Sequence, residues 1–342
     1  MNSYERVMTA FNHKEPDRVP IAEWGVNENV WRRITPDARN EYEYQIKAGY
    51  DIIPVRIQYR IVKDNGSTFT NEWGVEFKHG AELTSCAVNY PFQDIRDISK
   101  LRIPDADDPY RFAHLEQVVR DFKGERAICF STRACFLWAA ELCRFDTFLL
   151  YLLTEPELAS QLLDLILEHQ IKVVRNAISI GADLILDTDD YAFNSGPLMS
   201  PSLFDEFFAP RIKKFTDAVH AAGAKMIKHS DGDIKLLLDS MVNTGIDGYH
   251  SIDPVAGMDI AEVKQQYGDR IVLMGNIDCG NLLSFGSVED VRNAVRDCIK
   301  IAAPGGGFVL MTSNTVPYNA NPANVKAMID AAREFGTYPI SL

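Results

Sequence analysis

From Ala127 onward, short apolar runs of strand length alternate with longer stretches whose apolar residues recur at helical spacing. The runs AICFST (127–132), LILDTD (184–189), KMIKH (225–229), GYHSI (248–252), IVLMGN (271–276) and GFVLMTS (307–313) predict strands. The periodic stretches predict helices at about 137–153, 156–180, 201–222, 234–244, 258–267, 288–302 and 322–335. Glycines in IGAD, AAGA, NTGID, YGDR and PGGG mark helix stops, where a left-handed residue relieves the last carbonyls.

Before residue 127 the pattern is less regular. It predicts a helix at 3–12, a turn at KEPDRVP, a short apolar run VPIAEWG, a polar helix at 36–49 and a strand YDIIPVRI at 50–57. Residues 63–90 read as a β-rich excursion, with NGS and KHG as turns around a strand EWGVEF. A proline-marked linker, LRIPDADDPY, and a helix at about 111–122 follow. Repeated helix–turn–strand units with short loops imply a parallel sheet covered by helices. About eight strands favour closure into a (β/α)8 TIM barrel. A doubly wound open sheet is the alternative, weakened by the lack of GxGxxG after the first strand. The expectation is one barrel domain over 1–342, with a less regular N-terminal extension to about residue 110.

Composition narrows the partners. Lys and Arg total 35 against 48 Asp and Glu, a formal charge of -13, and no basic stripe stands out, so nucleic acid is not expected. The first 20 residues carry charges throughout and no apolar run approaches a membrane span, which points to a cytoplasmic protein without membrane contact. The six cysteines form no CxxC pair and are expected reduced, Cys279 at a strand end included. The sequence is compatible with a homodimer.

In a barrel of this kind, functional groups gather on loops after the strands. The polar residues at those ends are Arg56, Arg133, Asp187, Asp189, Asp190, His229, Asp231, His250, Ser251, Asp253, Asn276, Asp278, Ser313 and Asn314. His229 and Asp231, two residues apart, suit metal ligation or a general acid with its orienting partner. The structural alternative has Asp231 capping the helix near Ile234 and His229 satisfying a barrel hydrogen bond. Within DTDDY, Asp190 is the expected site carboxylate. Arg56 and Arg133 are candidates for gripping an anion, and Trp24 and Trp73, both in EWGV, for an aromatic wall or for packing. His13, His79, His114, His169 and His220 lie away from strand ends and read as structural or solvated.

The opening RVMTAFNHKEPDRVP, the central HSDG, the MGNID after a strand and the closing GGGFVLMTSNTVPYNANPANVKAMIDAAREFG resemble the uroporphyrinogen decarboxylase superfamily over nearly the whole chain. The resemblance implies a barrel with its cleft at the strand C-ends. It also implies one of two activities, cofactor-free decarboxylation of uroporphyrinogen or methyl exchange with a corrinoid protein at a zinc site. The decarboxylases carry RQAGR where AEWGVNEN stands here, and a GHGI histidine where Asn314 stands. The coenzyme M methyltransferases bind zinc through HxC and a later cysteine, positions held here by His229, Asp231 and Asn314. Oxygen and imidazole ligands without thiolates resemble the corrinoid-dependent O-demethylase group more closely, although the glutamate spacing of that group is absent. The expected function is therefore transfer of a methyl group from a small methylated substrate, such as a methyl ether, to a corrinoid protein. In that reading His229 and Asp231 hold zinc or donate a proton, Asp190 assists, and Asn314 and Asn276 orient the substrate. Trp24, Arg56, Arg133 and Asp278 complete its expected contacts. A decarboxylase and a non-catalytic binding barrel are the alternatives.

Overall fold

Seven parallel strands form one sheet, with every strand next to its successor. They are β1 (Ile52–Arg56), β2 (Ala127–Thr132), β3 (Leu184–Asp187), β4 (Lys225–His229), β5 (Gly248–Ser251), β6 (Val272–Ile277) and β7 (Phe308–Thr312). The computed structural model describes all residues of 1–342 except Thr84. The strands are almost continuously buried because helices cover one face and side chains from the other strands fill the other, as expected for a parallel sheet.

Alternate residues of each strand point inward. Ile52, Ala127, Cys129, Leu184, Leu186, Ile227, Val272, Met274, Val309 and Met311 form one inner cluster, into which the N-terminal helix Ser3–Phe11 inserts Val7 and Phe11. Ahead of β1, fully buried Asp51 accepts from Ser3 Oγ (2.6 Å) and pairs with Arg6 and Arg18 (2.8 Å each), which fixes the N-terminal segment against the sheet. The run after KEPDRVP then lies between the two sheet edges. Ile21 pairs in parallel with Leu310 of β7, and its carbonyl accepts from Asp51 N at 2.7 Å.

The excursion after β1 is a four-stranded antiparallel sheet, Ile61–Asp64, Thr68–Asn71, Glu76–Lys78 and Cys86–Asn89. EWGVEF is not one strand: Asn71 Oδ1 accepts from Trp73 N and Val75 N, and the chain turns at Gly74 before Glu76. Three helix expectations are also corrected. The stretch 137–153 is two helices, Phe136–Cys143 and Phe145–Thr154, broken at Arg144 with φ 72°. The stretch 201–222 is Pro201–Phe207 followed by Ala209–Ala221, divided where Pro210 lacks a helical N–H. The polar helix at 36–49 shortens to Glu41–Ala48, and Glu28–Ile34, not expected from periodicity, precedes it. Among the described residues no helix is long and apolar enough to cross a membrane.

Candidate functional site

Three side chains converge at the C-terminal ends of β3 and β4. Asp190, His229 and Asp231 each offer a ligand atom within 4.8 Å of the others. His229 Nε2 stands 3.4 Å from an Asp190 oxygen and 3.5 Å from Asp231 Oδ1, while the Asp231 amide donates to Asp190 at 3.0 Å. His229 is the last residue of β4 and takes the inward position two beyond Ile227. Gly232, φ 84°, then turns the chain under the Ala192–Phe193 backbone, where a Cβ would stand 2.6 Å from the Phe193 carbonyl oxygen.

The DTDDY run divides by environment. Asp187 is fully buried against Lys228 (3.0 Å) and the amides of Ala134 and Asp189. Asp189 accepts from the amides of Cys135, Phe136 and Leu137, and so caps the helix Phe136–Cys143. Only Asp190 of the three carboxylates reaches His229. Asp231 does not cap the helix Lys235–Asn243, because Asp233 accepts from its first amide.

Electrostatics favour a cation here. Burial, reinforced by Asp190 and opposed by His229, pushes the Asp231 carboxyl up to about 6. Asp231 Oδ1 is buried with no hydrogen-bond partner among the described residues, and its other oxygen accepts from Asn314 Nδ2. A divalent cation would satisfy the orphaned oxygen and relieve the repulsion between the two carboxylates, so this oxygen and imidazole set fits a zinc-like ion.

Behind His229 stands His250, the corresponding residue of β5, with the two Nδ1 atoms 2.7 Å apart. His250 Nε2 lies 2.9 Å from the Thr312 carbonyl oxygen, and burial holds the His250 imidazole well below its ordinary value. Trp24 does not form an open aromatic wall; its ring packs edge-on to His250 at 5.5 Å. The HS dipeptide recurring at the ends of β4 and β5 is the sequence signal that could have paired these histidines.

The other expected contacts separate from this centre. Arg56, at the end of β1, donates to the Trp24 carbonyl at 3.3 Å, crossing above Gly25. Arg133 Nη1 is ion-paired with Glu141 (2.6 Å), and the guanidinium lies over Trp138. Asn276, with φ 77°, donates to the Ile252 carbonyl (2.8 Å) and lines an outer groove with Val255, Asp297 and Ile301 instead of the cleft. Asp278 accepts from the amides of Gly280, Asn281 and Leu282, a loop and helix cap. Cys279 lies 3.9 Å from Ser313 Oγ, and burial pushes its thiol up to about 12, which leaves it no thiolate character. Trp73 packs on Trp138 and His169, away from the site. A groove at the opposite end of the strands is lined by charges already paired, Lys123 with Asp183 and both His220 and Lys225 with Asp247.

A solved structure shares this arrangement of elements, and curated proteins are similar in sequence. A methyltransferase from Methanosarcina mazei superposes with a TM-score of 0.78 over 98% of this chain and 99% of its own, at 20% identity. Methylcobamide:CoM methyltransferase MtaA of Methanosarcina barkeri is 30% identical over 201 residues, 58% of this chain and 55% of the relative, so the match spans about half of that protein's length. A uroporphyrinogen decarboxylase of Coxiella burnetii (strain Dugway 5J108-111) is 24% identical over 286 residues, 78% of this chain and 74% of the relative. The model of the uroporphyrinogen decarboxylase family matches residues 68–335, from the antiparallel excursion to the last helix. With most of its length matched in this way, the chain belongs to the uroporphyrinogen decarboxylase (URO-D) family.

Proposed function

We propose that this protein is a corrinoid-dependent methyltransferase that takes a methyl group from a small methylated substrate, such as a methyl ether. The observation that carries the reading is the convergence of Asp190, His229 and Asp231, with one buried Asp231 oxygen unpartnered. The likeness to MtaA supports corrinoid-linked methyl transfer, although that relative's name gives the opposite direction, from a methylcobamide to coenzyme M. The short segment around Ile21, bonded to both sheet edges, serves in this reading as the eighth stave that closes the barrel around the site.

A bound divalent cation would supply Lewis-acid stabilisation to the leaving oxygen, and a corrinoid on a partner protein the cobalt(I) nucleophile. Breaking the methyl–oxygen bond leaves its electron pair on oxygen, so the protein must stabilise negative charge at that atom. Asp190, His229 and Asp231 would hold the cation, and the Asn314 amide keeps Asp231 oriented. A thiol acceptor is less well matched, because the donors are oxygen and nitrogen and Cys279 stands apart beside Ser313. Uroporphyrinogen is poorly matched too. AEWGVNEN carries no arginine, and Arg133 is already paired with Glu141.

The test is His229→Ala in protein shown to be folded by circular dichroism, with metal content and methyl transfer to cob(I)alamin from a panel of methyl ethers measured together. Loss of one protein ligand should abolish metal retention through dialysis and lower transfer by about 100-fold or more. A folded variant keeping both at the starting level overturns the site.

A further inference from the structure

The contact between His229 and His250 fixes more than a ring position. We infer that His250 is a positioning residue that locks His229 with its proton on Nδ1, so that the Nε2 lone pair is presented to the cation held with Asp190 and Asp231. This deepens the metal reading above and rests on it.

The hydrogens available to the two rings fix the tautomer. The Thr312 carbonyl oxygen can only accept, so the nitrogen facing it at 2.9 Å, His250 Nε2, carries a hydrogen. A neutral imidazole has one N–H, which leaves His250 Nδ1 bare. The facing nitrogen, His229 Nδ1, lies 2.7 Å away. Two bare nitrogens at that distance would repel, and two N–H groups would collide, so the single hydrogen belongs to His229 Nδ1. Its Nε2 is the end that faces the two carboxylates. Outer partners of this sort commonly set the tautomer and orientation of a ligating histidine.

The surroundings leave His250 no alternative pose. It is fully buried, Trp24 packs on it edge-on, and β6 approaches so closely that a Cβ on Gly275 would lie 3.4 Å from His250 Cδ2. The register aligns His229 with His250 across β4 and β5, so the pairing is built into the sheet. Without the Nδ1 acceptor, a free imidazole favours neither nitrogen strongly, and the carboxylates would draw the hydrogen to Nε2, where it blocks ligation.

The experiment reads the tautomer directly. In metal-free protein labelled with 15N-histidine, long-range 1H–15N correlation should show His229, assigned by its loss in His229→Gln, with a protonated Nδ1, whether or not Nε2 also carries a hydrogen toward the carboxylates. A neutral His229 protonated at Nε2 overturns the inference, and this measurement needs no folded variant at position 250. His250→Phe should shift His229 toward the Nε2-protonated form and weaken Co2+ binding, followed by its d–d absorption, by about 10–100-fold. His250→Gln, whose amide can accept from Nδ1 and donate to Thr312, should restore most of both. A folded His250→Phe protein with unchanged tautomer and affinity also overturns it. If wild-type protein binds no Co2+, the metal reading fails by itself, while the tautomer spectrum still decides the role of His250.

Discussion

At the scale of single residues, Glu23 places a carboxyl in the buried interior at the end of the run VPIAEWG. Fully buried, it accepts from Thr312 N at 2.7 Å and lies 2.5 Å from Thr312 Oγ1, which also donates to the Asn314 carbonyl. One hydroxyl hydrogen cannot serve both oxygens, so the Glu23–Thr312 contact is satisfied when the carboxyl itself carries a proton. Burial pushes Glu23 up to about 8, in agreement with this count. Between an unfolded value near 4.5 and about 8, the folded chain holds a proton that the unfolded chain has released. Stability from this group is therefore fully present below the unfolded value and is lost as pH rises through that window. Glu23→Gln keeps both hydrogen bonds and should remove the dependence, at most about 1.4 kcal/mol per pH unit. Urea midpoints of the two proteins from about pH 5 to about pH 8 check it, and equal slopes would sink the argument. Residue roles were only partly legible beforehand. Asp190, His229, Asp231 and Asn314 do meet, but nothing in DTDDY distinguishes a lysine partner, a helix cap and a site carboxylate until the neighbouring loops are in place.

At the scale of elements, the strands were legible because each is a short apolar run ended by polar residues. AICFST and KMIKH coincide with β2 and β4. The helix breaks were not, since ELCRFD contains no glycine or proline to announce the left-handed Arg144. Asn276 misled for a related reason: alternation along β6 places it inward, but Gly275 at φ 113° and Asn276 itself at φ 77° turn the backbone and send the side chain out. That kink depends on glycine. A Cβ at Gly275 would lie 2.0 Å from the Ser251 carbonyl oxygen, a backbone atom that cannot move without separating β5 from β6. Gly275→Ala should therefore cost at least about 1–3 kcal/mol, from the positive φ alone, and disturb His250 as β5 shifts. Thermal unfolding together with Co2+ affinity checks this, and a variant as stable and as tightly binding as wild type would show that the strands yield freely.

At the scale of the whole molecule, the seven strands of the main sheet run the same way, so the segments after β3 to β7 share one end with the site. Large apolar side chains stand exposed in the segments that follow these strands: Phe285 at 78%, Leu236 at 70% and Phe193 at 61%, with Tyr318 after β7. Single exposed apolar residues are ordinary, but one in each of the segments after β3, β4, β6 and β7 makes a surface suited to another protein. In the proposed function that protein carries the corrinoid, and these residues hold it over the mouth. The prediction separates docking from chemistry. Phe285→Ser combined with Leu236→Ser removes exposed contacts and should change folding stability by no more than about 0.5 kcal/mol per site. Transfer to a corrinoid protein at sub-saturating concentration should fall by about tenfold or more, the loss of roughly 1.4 kcal/mol of interface contact. Transfer to free cob(I)alamin should be unchanged, because the small acceptor reaches the cleft without touching the rim. An equal fall with both acceptors would place the two residues in the chemistry, and no fall with either would show that a partner docks elsewhere.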